Sequence, residues 1–339
     1  VRRRLLKLAS ASIAMLLAIG VTPGGAVGFQ WVTVADPEDQ PLDVAVWYPS
    51  NSPVATQALG AYRQTVASDG AISGSQLPLV VISHGNGGWA GSHFDTALAL
   101  AEAGFVVAAI THTGDNFKDR SYAFQARNLI GRPRHVVRTL DYMLTIWPEH
   151  ERLDPTQIGI FGHSAGAITA LVAAGGAANL DRIAQRCHER PEDQVCQSTP
   201  ERGETNDTAQ TGAPVFMHDP RIGAAVIAAT GLGMTFEEGG LSAVRVPVQL
   251  WRAAEDRIAV DQWSTAIIRR ELPTPPDEHV VPLAGHFAFL APCSEALAAA
   301  APGICIDAPG FDRAGFHREF NETLIAFLRA RLPTFKPVH

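Results

Sequence analysis

From residue 78 onward, short and nearly unbroken apolar runs recur along the chain: PLVVIS, FVVAAI, IGIF, GAAVIAA, VPVQLW and HVVPL. Runs of this length and composition fit strands buried on both faces, and helical periodicities separate several of them. Strands alternating with helices predict the α/β class, with a mostly parallel central sheet and helices on both faces. Ahead of them, FQWVTVADPEDQPLDVAVWYPS alternates apolar and polar positions around an ADPEDQP turn, which predicts an antiparallel hairpin.

Two regions break the rhythm. Residues 178–218 are polar, charged and poor in large apolar side chains, and they fall between the helix after IGIFGHSAGA and the next strand, so they are expected to form a cap or lid-like insertion. The tail from Phe311 to Leu332 carries helical spacing through Phe316, Phe320, Leu324, Ile325, Phe327 and Leu328, which predicts a helix closing one face of the sheet. There is no internal repeat and no long low-complexity linker.

The first residues read VRRRLLKLASASIAMLLAIGVTPGGAVGF. Arg2, Arg3, Arg4 and Lys7 precede a short apolar run, and Gly24 and Ala26 give a small-residue cleavage pattern. This predicts a signal peptide over residues 1–26, by the Sec or the twin-arginine route, with an exported, periplasmic or secreted domain over 27–339. An uncleaved membrane anchor is the alternative, but the run is short for a span, so no stable membrane span is expected in the mature chain.

Export changes how the four cysteines are read. Cys187 and Cys196 flank one polar loop and Cys293 and Cys305 another, so two local disulfides are the simplest of the possible pairings. Neither pair has zinc-ligand spacing, and no metal or other cofactor is expected. The 339 residues are 46% hydrophobic, enough for a large core, and the formal net charge of -7 argues against a nucleic-acid partner, which is held largely through Lys and Arg.

The chemistry is concentrated at Gly162-His163-Ser164-Ala165-Gly166. Between a strand and a helix this G-x-S-x-G pattern makes a sharp turn that lifts the serine hydroxyl clear of the sheet. A hydroxyl is a weak nucleophile until a base takes its proton, and that base needs a carboxylate to fix its tautomer. On the corresponding fold the chain order is serine, acid, histidine. Asp256 follows VPVQLW and His286 follows HVVPL, so both fall in loops after successive strands. Glu255 is the neighbouring alternative acid, Arg257 offers Asp256 a plain surface ion pair, and His286 has the alternative role of a loop histidine packed on Phe287 and Phe289. For the oxyanion, one main-chain N–H is expected from Ala165 and a second from Asn86, in SHGNGG at the end of PLVVIS. Trp89 and Phe287 are candidate substrate contacts, beside Phe117 and Phe289; core packing is the other role open to this set. His84, His112 and His163 all fall near strand ends, but their spacing matches no metal motif.

PLVVISHGNGG, FVVAAITHTGDN, IGIFGHSAGA, VPVQLW with AAEDRI, and AGHFAFLAPC together resemble the exported bacterial α/β-hydrolases described as predicted dienelactone hydrolases, relatives of the platelet-activating-factor acetylhydrolase group. The resemblance spans roughly residues 29–335 and implies an α/β-hydrolase fold with Ser164, Asp256 and His286 as the triad. Two departures limit what it carries. Dienelactone hydrolases use a cysteine nucleophile where this chain has Ser164. The animal acetylhydrolases take their acid one strand earlier, where this chain reads AATGLGMTF with no carboxylate before Glu237.

The expected function is therefore that of an exported serine hydrolase cleaving small or medium acyl esters through an acyl-enzyme. A serine peptidase or amidase uses the same triad, although the chain is too short for the accessory propeller that would favour it. A non-catalytic binding protein on this fold would be expected to lack a triad member.

Overall fold

The structure, a computed structural model, describes residues 25–123, 125–197 and 216–332. Among the described residues ten strands form one sheet: β1 (Ala26–Val34), β2 (Leu42–Ser50), β3 (Ala55–Leu59), β4 (Tyr62–Ser68), β5 (Leu77–Ser83), β6 (Val106–Thr111), β7 (Leu153–His163), β8 (Ile222–Ala228), β9 (Val248–Ala253) and β10 (Asp277–Val281). Their order across the sheet is β10-β9-β8-β7-β5-β6-β2-β1-β4-β3. The six from β10 to β6 run parallel to one another, and the expected hairpin is present as the antiparallel β1–β2 pair, with Val34 opposite Leu42.

Nine helices surround the sheet among the described residues: α1 (Phe94–Glu102), α2 (Ala126–Thr145), α3 (Ala165–Ala173), α4 (Asp181–Glu189), α5 (Gln194–Gln197), α6 (Thr265–Glu271), α7 (Glu295–Ala300), α8 (Pro302–Cys305) and α9 (Arg313–Arg331). The apolar runs explain why two cores form. Successive strand residues point to opposite faces, so Leu79 and Val81 of β5 join Val136 and Leu140 of α2, Leu171 of α3 and Ile268 of α6 on one side. Val80 and Ile82 join Leu100 of α1 and Phe320, Leu324 and Leu328 of α9 on the other. A strand buried on both sides has no polar position to spare, hence its unbroken apolar sequence. The tail helix lies where its spacing puts it, with the Phe320 ring 5.6 Å from Phe161 of β7 and 5.0 Å from Trp251 of β9.

The β3–β4 hairpin has no counterpart in the expected elements. Its inward positions on β4 are Tyr62, Gln64 and Val66. The central one is a buried glutamine whose Oε1 accepts the Trp47 indole N–H at 2.8 Å, so a polar residue interrupts the apolar alternation that would have announced the strand.

Both expected disulfides are present, Cys187–Cys196 and Cys293–Cys305. Of the expected insertion, α4 and α5 are described and residues 198–215 lie outside the described residues; of the expected signal segment, only Gly25 and Ala26 are described. Among the described residues no helix is long and apolar enough to cross a membrane.

The connections after β5 set the location of a crevice. The chain passes from β5 to β6 on one side, then returns to β7 on the other. Ligands of open parallel sheets bind outside the carboxyl ends of the strands at such a reversal.

Candidate active site

Ser164 follows β7 directly and is the N-cap of α3, with φ 55° and ψ -116°. A non-glycine residue in this left-handed region is strained, and strain of roughly 1–3 kcal/mol persists only where the surroundings impose it. The two flanking glycines show how tightly they do so. A Cβ on Gly166 would sit 1.9 Å from the Ser83 carbonyl oxygen, and one on Gly162 would sit 2.1 Å from the Gly166 oxygen. Strand, turn and helix therefore pack backbone against backbone, and the Ser164 N–H is fixed by donating to Ala228 O of β8 at 2.9 Å.

His286 opens a short 3-10 turn (His286–Phe289) after β10, and Asp256 lies in the loop after β9. The Ser164 hydroxyl and His286 Nε2 are 2.9 Å apart, and His286 Nδ1 is 2.8 Å from Asp256 Oδ2. The side chains of His286 and Asp256 are only 5% and 3% exposed. The other carboxylate oxygen, Asp256 Oδ1, accepts main-chain N–H groups from Ile258 at 2.9 Å and Ala259 at 2.7 Å. Those bonds aim Oδ2 at the ring. Glu255 is exposed, and Arg257 makes no ion pair with Asp256 among the described residues.

Asn86 and Ala165 both border the same cavity as Ser164. The loop bearing Asn86 presses on the serine turn, since a Cβ on Gly85 would lie 3.2 Å from Ser164 Cβ. Neither the Asn86 nor the Ala165 main-chain N–H has a hydrogen-bond partner among the described residues. The Asn86 side chain is occupied: its Nδ2 donates to Asp115 Oδ1 at 2.8 Å and its Oδ1 accepts from Arg120 Nη2 at 2.9 Å.

Sequence reasoning missed what holds this loop. Arg132 of α2 and Asp115, both fully buried, form an ion pair with Nη2 2.9 Å from Oδ2. Arg132 Nη1 also donates to His84 O at 2.7 Å, and Asp115 Oδ1 accepts the Gly87 N–H at 2.9 Å. Asn128 Nδ2 adds a bond to Asp115 Oδ2 at 2.7 Å. The only sequence signal was a charged residue, Arg132, within the apolar stripe of a helix.

The cavity above Ser164 measures about 990 Å3. Trp89 and Phe287 line it, with Phe117, Tyr62, Met234 and Trp263, whereas Phe289 is fully buried and belongs to the core. The insertion contributes Ile183, Arg186, Glu192 and Asp193 to the wall. Arg186 pairs with Asp193 at 2.6 Å and lies over the Trp263 ring, 4.0 Å from its centroid. On another side, α7 and α8 supply Leu297, Ala300 and Ile304 within the segment clipped by Cys293–Cys305.

The three histidines near strand ends are engaged in hydrogen bonds within the protein, His163 through Nε2 alone. His84 Nδ1 donates to Gly85 O at 2.6 Å and its Nε2 accepts the His112 N–H at 3.1 Å. His112 hydrogen-bonds with Ser83 and His135, and His163 Nε2 donates to His286 O at 3.1 Å. Burial first, and the neighbouring His286 and His93 rings after it, hold His163 well below the usual imidazole range, so it remains neutral beside His286. Among the described residues, no group of three or more His, Cys, Asp or Glu is arranged to hold a metal ion.

Residues 65–230 match the model of the dienelactone hydrolase family, a span that includes Asn86 and Ser164 and ends before Asp256 and His286. Among solved structures, a ferulic acid esterase from Streptomyces cinnamoneus is similar, with a TM-score of 0.63 and 18% identity, covering 93% of this chain and 92% of that chain. A comparison with curated protein sequences gives no match. Both names are those of enzymes that hydrolyse esters. The central parallel sheet, the helices on both faces and the structural likeness agree: the chain has the α/β-hydrolase fold, and its residues 65–230 match the dienelactone hydrolase family model.

Proposed function

We propose that this protein is an exported serine carboxylic ester hydrolase that works through an acyl-enzyme, with Ser164 as nucleophile, His286 as base and Asp256 as its orienting acid. The observation that carries the reading is the unbroken line of hydrogen bonds from Ser164 Oγ through His286 to Asp256, at 2.9 and 2.8 Å, on the floor of an apolar-lined cavity. The family match and the likeness to an esterase support an ester as the bond cleaved.

In this mechanism Ser164 Oγ attacks the ester carbonyl carbon while its proton passes to His286 Nε2. Negative charge collects on the carbonyl oxygen, where the Asn86 and Ala165 main-chain N–H groups stabilise it, each donor lowering the barrier by about 3 kcal/mol. Collapse breaks the bond to the alcohol oxygen, which takes the proton from His286. Water then attacks the acyl-serine, His286 accepts its proton, and release of the carboxylic acid regenerates the hydroxyl.

The substrate is a small or medium acyl ester, with Trp89 and Phe287 as contacts. Residues 178–218 act as a lid, a role supported by the insertion residues in the cavity wall. Export, with a signal peptide over residues 1–26, is supported by the two disulfides. The test is a panel of p-nitrophenyl esters of increasing chain length beside peptide anilides, with Ser164→Ala in parallel. Ester turnover lost in that variant supports the reading; turnover of anilides alone would replace it with a peptidase.

A further inference from the structure

Three buried histidines from separate parts of the chain converge on the turn that carries His286. His163, the last residue of β7, donates Nε2–H to His286 O at 3.1 Å. His317 of α9 donates Nε2–H to Ala288 O at 2.8 Å, and its Nδ1 lies 2.6 Å from Asp95 Oδ2 at the start of α1. His93, just ahead of α1, donates Nδ1–H to Phe289 O at 3.0 Å. The remaining carbonyl, that of Phe287, accepts the Leu290 N–H at 3.1 Å. Every carbonyl of the turn is therefore held, three of them by imidazoles.

The rings have the protonation such bonds need. Among the described residues, His163 Nδ1 and His93 Nε2 are buried without a partner, which fits neutral rings whose single proton sits on the nitrogen facing the carbonyl. The two rings also pack on each other, with centroids 5.3 Å apart. His317 differs, because both of its nitrogens face acceptors.

We propose that His163, His93 and His317 are positioning residues that fix the turn from His286 to Phe289, and so hold the His286 ring at hydrogen-bond distance from Ser164. The inference rests on the proposed catalytic role of His286. A rigid turn matters because the reaction needs the ring aligned with Ser164 and Asp256 together, and a misplacement of about 1 Å is enough to lower turnover by roughly a hundredfold. The donors come from β7, the segment before α1, and α9, so the turn is tied both to the strand bearing Ser164 and to the helices packed under the sheet.

The test compares substitutions that remove the donor with ones that restore it at the same place. His317→Leu and His93→Leu should lower kcat for p-nitrophenyl acetate by roughly tenfold or more while KM stays within about twofold, because alignment rather than binding is lost. His317→Gln, whose amide nitrogen falls near the imidazole Nε2, and His93→Asn, whose amide nitrogen falls near Nδ1, should recover most of kcat. Unchanged kcat in the leucine variants, with Ser164→Ala inactive, overturns the positioning role alone; activity surviving in Ser164→Ala overturns the catalytic reading beneath it. The unmodified protein supplies a measurement that does not depend on a variant folding. Nitrogen-15 NMR of labelled histidines should show His93 protonated at Nδ1 and His163 at Nε2, and the opposite tautomer at either ring overturns its part of the brace.

Discussion

Arg132 and Asp115 meet 2.9 Å apart with neither side chain exposed, and together they hold both edges of the loop that carries Asn86. A buried ion pair contributes little over a well-packed apolar pair, but removing one partner leaves the other charge unmatched, at a cost of about 3–5 kcal/mol. Asp115→Ala should therefore lower the urea midpoint strongly. Because Asp115 also accepts from Gly87 N–H and Asn86 Nδ2, any folded fraction should show reduced kcat in ester assays.

Close backbone approach at the serine turn gives a sharp contrast between glycines. Gly166→Ala would drive a Cβ to 1.9 Å from Ser83 O, where only backbone could move, so soluble folded protein should not be recovered. A Cβ on Gly285 meets nothing within 4 Å. Gly285→Ala should melt within a few degrees of the parent in a calorimetric scan, a shift of about 0.5 kcal/mol or less.

Asp256 and Glu255 are neighbours in sequence and unequal in place. Asp256→Asn puts an amide against His286 Nδ1 and favours the wrong tautomer, with an expected loss in kcat of roughly 10⁴-fold. Glu255→Gln changes an exposed side chain and should leave kcat nearly unchanged. Steady-state kinetics on the two variants decides between them.

Buried neutral histidines make stability sensitive to acid. Burial pushes the His93 imidazole down to about 4 against the opposing pull of Asp95, and burial, reinforced by Arg134 and Arg132, pushes His135 down to about 3. His84 and His112 are likewise held well below the usual range, by burial first and then by Arg132. The unfolded chain takes up these protons below about pH 6.5 while the folded one does not, so stability is full above that value and falls with pH. Each such group contributes a slope of about 1.4 kcal/mol per pH unit down to its folded value. Thermal midpoints should drop steadily from pH 7 to pH 5 at constant ionic strength, and a flat profile would show that these rings take up protons in the fold over the same pH range as in the unfolded chain.

Much of this was written in the sequence in forms that hydropathy and spacing expose. Five of the six parallel strands, β5 to β9, are largely buried and read as apolar runs, whereas β10, also expected from its apolar run to be buried on both faces, lies at the sheet edge with only Val281 buried; Ser164, Asp256 and His286 follow strand ends in the order the fold requires. What stayed hidden is polar and distributed. Gln64 masks β4 by placing an amide where an apolar side chain would have marked the inward face. Asp115 and Arg132 are 17 residues apart, and His317 acts on Ala288 O from 29 residues away, so their partnership depends on tertiary packing that no local pattern encodes.

The two bridges restrain different walls of the cavity. Cys187–Cys196 ties α4 to α5, and Cys293–Cys305 encloses α7 and α8 just beyond the His286 turn, with separations of 9 and 12 residues. Loops this short give at most about 3 kcal/mol of stabilisation each. Paired Cys→Ser changes should lower both melting temperatures. The Cys293/Cys305 pair should lose more turnover, and the Cys187/Cys196 pair should mainly change preference across the ester panel.

The central claim is that the Ser164 hydroxyl is the nucleophile, and mass spectrometry of the protein after treatment with a fluorophosphonate tests it most directly. The expected result is one covalent adduct on the peptide bearing Ser164, formed in step with loss of esterase activity and absent from a folded Ser164→Ala variant. Full inactivation with the adduct on another residue, or ester hydrolysis undiminished in Ser164→Ala, would contradict it.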